Sequence, residues 1–171
     1  MTLTPEYHVV DIVQAAGGRI VSRIRLQKIA YLLDQLGAHS GFRYTYHHYG
    51  PYSADLDSAI VDADAFGLVK EEFGYRKADG ARYSIFKANA DSNDHQFEYL
   101  RDGKMRDLVK LWASTDITVL ELAATAHWLY ESEKVKDWEP EIERRKGSKV
   151  LGGRLEAAKK FLEEAGLPPV A

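Results

Sequence analysis

FRYTYHHYGPYS, residues 42–53, carries the reading that decides the fold. Phe42, Tyr44 and Tyr46 alternate with Arg43, Thr45 and His47, the two-residue period of a strand. Gly50-Pro51 then reads as a turn, because glycine admits positive φ and proline fixes its own. Ser53 is placed to cap a helix over 54–66, with Asp55 in the first turn where the helix dipole favours negative charge. Leu56, Ala59, Ile60, Ala63 and Phe66 are expected on its buried side.

Upstream, RIRLQKIAYLLDQL (residues 23–36) has Leu26, Ile29, Leu33 and Leu36 at helical spacing, widened by Leu32. Ser22 is its cap and Gly37 its C′ residue. The other face shows Gln27, Lys28, Tyr31, Asp34 and Gln35. An earlier helix opens at Thr4-Pro5, runs to about Ala16 on a Val9, Ile12, Val13 stripe, and ends at Gly17-Gly18. Downstream, a strand from Gly67-Leu68-Val69 to about Phe73 and a second over Arg82–Lys87 form a hairpin. Helices followed by a hairpin give the order of a winged helix-turn-helix. The helix before the wing carries Asp55, Asp57, Asp62 and Asp64 and no lysine or arginine, so a duplex would repel it. The wing tip, with Arg76 and Lys77, is only mildly basic. Nucleic acid is therefore not the expected partner.

Residues 88–95 read as a polar linker. A helix is expected from about 95 to 113, with Phe97, Leu100, Leu108, Leu111 and Trp112 inward and Gly103 able to break it. Thr118-Val119-Leu120-Glu121 fits a capping box opening a helix to about Glu131 that is apolar almost all round, hence central. His127 within it is expected to be a hydrogen-bonded core residue. A short helix over 139–146 is anchored by Trp138 and Ile142. Arg144, Arg145, Lys146 and Lys149 read as its solvated end. The last helix, 152–165, turns Leu155, Ala158, Phe161 and Leu162 inward. The fold class is thus mostly helical α+β. Residues 1–90 form a winged-helix-like part and 91–171 a helical part packed on it, in one domain of 171 residues.

Composition narrows the chemistry. Net charge is −3, with 45% hydrophobic and 29% charged residues, as in an ordinary globule without a global basic field. There is no cysteine, which removes disulfides, thiolate nucleophiles and Cys-ligated zinc and suits a reducing cytoplasm. Neither a secretory leader nor a membrane span is expected. Phosphate-loop, dinucleotide, H-E-x-x-H and G-x-S-x-G motifs do not occur. His47 and His48, adjacent on a strand, point to opposite faces and do not share a metal. Glu71-Glu72 and Glu163-Glu164 read as solvated charge. No catalytic residue, cofactor or metal is expected.

Leu26-Gln27-Lys28-Ile29-Ala30-Tyr31, followed by Tyr49-Gly50-Pro51-Tyr52-Ser53 and Leu56, resembles the YwgA-like and Panacea (SocA-like) group of bacterial and phage-associated proteins. It also resembles a related module in the C-terminal part of DarG-type antitoxins. The match extends more loosely to the wing and to Leu120–Thr125 with Leu129-Tyr130, and so covers most of the chain. The resemblance implies a non-enzymatic antitoxin or adaptor whose partner is a cognate toxin protein. Within the two motifs, Gln27, Lys28, Tyr31, His48, Tyr49, Gly50, Pro51 and Tyr52 are the candidate partner-binding residues, expected to converge on one surface.

Overall fold

The computed structural model describes residues 4–89 and 95–169. Thr4 and Pro5 open helix α1 (Pro5–Ala15), whose Val9, Ile12 and Val13 are wholly buried. Gly17 and Gly18, both at positive φ, reverse the chain into strand β1 (Arg19–Val21). This strand was not legible in the sequence. Three residues cannot display an alternation, and their evidence is non-local: Arg19, Ile20 and Val21 pair with Lys87, Phe86 and Ile85. Ser22 follows at φ 87, donating its N–H to the Ser84 carbonyl and capping helix α2 (Arg23–Gln35) through the Arg25 N–H.

Next comes a small ribbon of strands β2 (Thr45–His47) and β3 (Gly50–Tyr52). The inward–outward alternation of 42–47 holds, with Phe42 buried, Tyr44 and Tyr46 half-buried and the residues between them exposed. The expected turn at Gly50-Pro51 is corrected. His48-Tyr49 makes the turn, and Gly50-Pro51-Tyr52 is the returning strand. Proline is tolerated because a two-stranded ribbon is all edge, so its missing N–H breaks no central ladder.

Ser53 caps helix α3 (Ala54–Ala65) through the Leu56 N–H. Strands β4 (Val69–Tyr75) and β5 (Arg82–Ala88) form the wing, and the sheet order is β1-β5-β4, all antiparallel. Helix, strand, two helices and a two-stranded wing closed by the first strand give the winged-helix arrangement.

The second half begins with a strap rather than the expected helix. Residues 95–102 are not helical, and helix α4 (Gly103–Ala113) starts at Gly103 with Asp102 as its cap. The strap is held by Asp11 of α1, 2% exposed. Its carboxylate accepts the N–H groups of Glu98, Tyr99 and Leu100 at 3.0, 2.7 and 3.0 Å and contacts His95 Nε2 at 2.6 Å. A periodicity argument cannot see such an anchor, because it replaces a helix's own ladder with one distant carboxylate. The expected linker at 88–95 lies largely outside the described residues.

Helix α5 (Ile117–Glu131) is central, as expected, and is packed on α2, α6 (Trp138–Lys146), α7 (Arg154–Ala165) and β3. Its cap is Asp116, which accepts the Thr118 and Val119 N–H groups, so the capping box is corrected by two residues. Glu121 is thereby free for another role. A 3-10 turn, Gly147–Val150, joins α6 to α7. Phe66 and Leu111, expected inside, are exposed at the ends of their helices. The remaining core candidates of α3 and α7 are buried, and one hydrophobic core runs through both halves. Among the described residues no helix is long and apolar enough to cross a membrane.

Candidate partner-binding groove

The two sequence motifs turn out to be hydrogen-bonded to each other. The Gln27 side-chain amide acts as a peptide mimic: its Nε2 donates to the Ser53 carbonyl at 2.9 Å, and its Oε1 accepts the Ser53 N–H at 2.8 Å. At the next residue, Lys28 Nζ donates to the Pro51 carbonyl at 2.7 Å. Gln27 and Lys28 thus replace the missing ladder partner of β3 and fix where the ribbon ends and α3 begins. Gly50 is required on two counts. Its φ is +98, and a Cβ there would lie 2.6 Å from Thr125 Oγ1.

Beneath the ribbon lies an unusual charge cluster. Glu121 of α5 accepts from Lys146 Nζ at 3.0 Å and from Lys149 Nζ at 3.1 and 3.0 Å. Lys146 also donates to the His48 carbonyl at 3.2 Å, holding the ribbon's turn. Burial pushes the Lys28 amine down to about 8, and the field of Glu121 only partly opposes this, since Lys146 and Lys149 add repulsion. Burial likewise lowers Lys146, against its pairing with Glu121. Lys146 and Lys149 therefore share one carboxylate by contact, and Lys28 lies within its field.

Two clefts open above this cluster. The first, about 400 Å³, lies between the ribbon and α2 and is lined by Gln27, Lys28, His47, His48, Tyr49, Gly50 and Tyr52 with Arg23 and Ile24. The second, about 810 Å³, lies between the wing, the start of α2 and the start of α5. They share Arg23, Ile24 and Tyr49 as walls and so lie side by side, and together they are termed the groove. Arg19, Arg23, Arg25, Arg76, Arg82 and Lys149 line the second cleft, and among the described residues Glu121 is the only carboxylate that lines it.

Some of this charge is held internally. Arg23 pairs with Asp57 at 3.0 Å and Glu71 at 2.8 Å, so Glu71 is a partly buried anchor rather than the expected solvated charge. Arg25 donates to the Trp112 and Thr115 carbonyls at the end of α4. Arg76 pairs with Asp79. The Arg82 guanidinium lies over the Phe73 ring at 4.3 Å, and Lys149 Nζ stands 5.0 Å from the centre of the Tyr49 ring.

Of the eight expected residues, six line the first cleft and two do not. Pro51 is buried in the ribbon. Tyr31 is 1% exposed, packed against Tyr44, His127 and Trp128 at ring distances of 5.2, 5.7 and 6.2 Å. Gln27 and Lys28 form the floor at 3% and 2% exposure. The expected single surface is thus layered, and the accessible aromatic groups are Tyr49 and, half-buried, Tyr52 beside the exposed His48. His127 is the hydrogen-bonded core residue expected, bonded to the Pro168 carbonyl and Gln35, with burial lowering its pKa.

The 144–149 cluster is corrected from a solvated helix end. Arg145 pairs with Glu133 and Glu141, and Lys146 is buried on Glu121. The groove cations and Glu121 were missed as a set, because they come from β1, α2, the wing, α5 and the 3-10 turn. Among the described residues no group of three or more histidine, aspartate or glutamate side chains is placed to hold a metal. The chain matches no family model, and no curated protein closely enough to count as a relative.

Proposed function

We propose that this protein is a non-enzymatic binding module of the cytoplasm, an antitoxin or adaptor that neutralises a cognate toxin by holding part of it in the groove. The observation that carries this reading is the groove itself: a floor of hydrogen-bonded motif residues under a rim of tyrosines and cations. Tyrosine and arginine around a desolvated centre are what protein interfaces favour. The clefts, about 400 and 810 Å³, are of a size to take a peptide segment.

The test is co-expression with the product of the adjacent gene. Growth arrest by that product, relieved by this protein and not by a Tyr49→Ala, Arg82→Ala double variant of unchanged melting temperature, supports the reading. A neighbour without toxicity, or rescue indifferent to the groove, counts against it.

One observation favours a nucleic-acid regulator instead: six cations scattered over the sequence meet in one groove. The acidic α3 opposes it, with Asp62 and Asp64 exposed where a recognition helix would face phosphates. A gel shift across a salt series separates the two readings.

A further inference from the structure

We infer that the groove takes an extended acidic peptide segment, one of whose carboxylates is drawn to the positive cluster around Lys149 at the junction of the two clefts. This rests on the protein-binding reading and adds the chemistry of the ligand.

Three separate features point the same way. The first is the imbalance at Glu121. Glu121 contacts the ammonium groups of both Lys146 and Lys149, and Lys28, bonded to the Pro51 carbonyl, adds a third positive charge in the same field. Two of those ammoniums, on Lys28 and Lys146, are almost fully buried, where an uncompensated charge is most costly. Lys149 is 40% exposed and opens into the larger cleft, so an arriving carboxylate reaches the excess charge through it.

The second feature is the start of α2. Its first turn carries Arg23 and Arg25 and no acidic residue, and both line the groove. Helix N-termini carry partial positive charge, and arginines there cost stability rather than add it. Arg23 is neutralised by Asp57 and Glu71, but Arg25 is bonded, among the described residues, to the carbonyls that end α4 and not to a carboxylate, so its positive charge adds to that of the groove. The third is Arg82. Among the described residues it has no carboxylate partner, and its guanidinium is held open to the groove by the Phe73 ring.

The ligand is a peptide rather than a lone anion because these features span two adjacent clefts, and because Tyr49 and Tyr52 offer side-chain contact between the charges.

The probe is a fluorescent octaglutamate peptide, followed by anisotropy against a neutral Gly-Ser peptide of equal length and a single-stranded oligonucleotide of similar charge. The expected result is saturable binding of octaglutamate alone or tightest. It weakens about tenfold in Arg82→Glu and in Lys149→Glu, and weakens as salt rises. Both positions are exposed enough for circular dichroism to report an unchanged fold. Absence of saturable binding at low salt overturns the inference. So does tighter binding of the oligonucleotide, which would assign the groove to nucleic acid. Toxin rescue retained in both variants but lost in Tyr49→Ala, with no peptide binding, sinks the acidic ligand and leaves the protein-binding reading standing. Peptide binding without any toxin rescue sustains the ligand chemistry and removes the antitoxin.

Discussion

Two regions of this molecule solve the problem of buried charge in opposite ways. At the Asp11 strap a carboxylate is surrounded by backbone N–H groups and His95, and at Asp34 by hydroxyl and backbone donors. Asp34 accepts from the Ser40 N–H and hydroxyl and from the Tyr44 and Tyr99 hydroxyls. At Glu121 the carboxylate is surrounded by ammonium groups in excess. The first kind of site is satisfied: both oxygens of each carboxylate accept, and the site ties loops to helices. The second is over-supplied with charge and opens into a groove. Completeness marks architecture, and a directed imbalance beside a cleft marks a place prepared for something else.

The sharpest way to break that contrast is at Asp11. Asp11→Ala strands three backbone N–H groups of the strap in the interior, and should cost about 3–5 kcal/mol in denaturant unfolding. If it costs under about 1 kcal/mol, the strap is not held as described. Gly50→Ala should come next. Positive φ and the approach of Thr125 Oγ1 together predict a loss of about 2–3 kcal/mol by the same measurement. A neutral Gly50→Ala would mean the ribbon can shift away from α5.

The third effect is a pH dependence. Lys28 has its amine lowered from 10.5 to about 8 by burial, so between these values the unfolded chain binds more protons. Stability should therefore rise with pH across that window, by at most about 1.4 kcal/mol per unit, and Lys28→Met should flatten the rise. The lowered Lys146 adds in the same sense. Burial, with the field of Asp34, raises Tyr44 and Tyr99, so the folded state keeps protons the unfolded state loses above about pH 10, and stability should then fall. A curve falling steadily from pH 8 would contradict the buried charged lysine. The smallest effect belongs to Lys149→Ala. Lys146 still answers Glu121, so stability should change by under about 1 kcal/mol in either direction, while octaglutamate binding weakens.

Much of the scaffold was legible. The Leu26, Ile29, Leu33 stripe of α2, the Ser53 cap and the nearly all-apolar α5 declare their elements locally, because burial imposes a period on neighbouring residues. The misses share a cause. β1 exists only through its pairing with β5 and the strap only through Asp11, while the Gly50-Pro51 strand, paired locally with β2, is fixed on its other side by Gln27 and Lys28. In each, a residue far along the chain supplies hydrogen bonds that a local pattern does not show. The site was half legible for the same reason. The motif residues cluster in sequence and six of them do meet at one cleft. Which of them are floor and which are rim depends on α5, which packs beneath the ribbon from more than sixty positions away.

By itself, then, the sequence determined the helical stripes, the winged-helix order, the acidic face of α3 and the absence of thiol chemistry. These follow from residue type and short spacing, which are properties of neighbours. Tertiary structure alone decided that Gln27 and Lys28 bind backbone at the floor of a cleft, that Lys146 and Lys149 share Glu121, and that arginines from β1, α2 and the wing line one groove. Burial and electrostatic field are sums over everything that packs nearby, and no local pattern contains them.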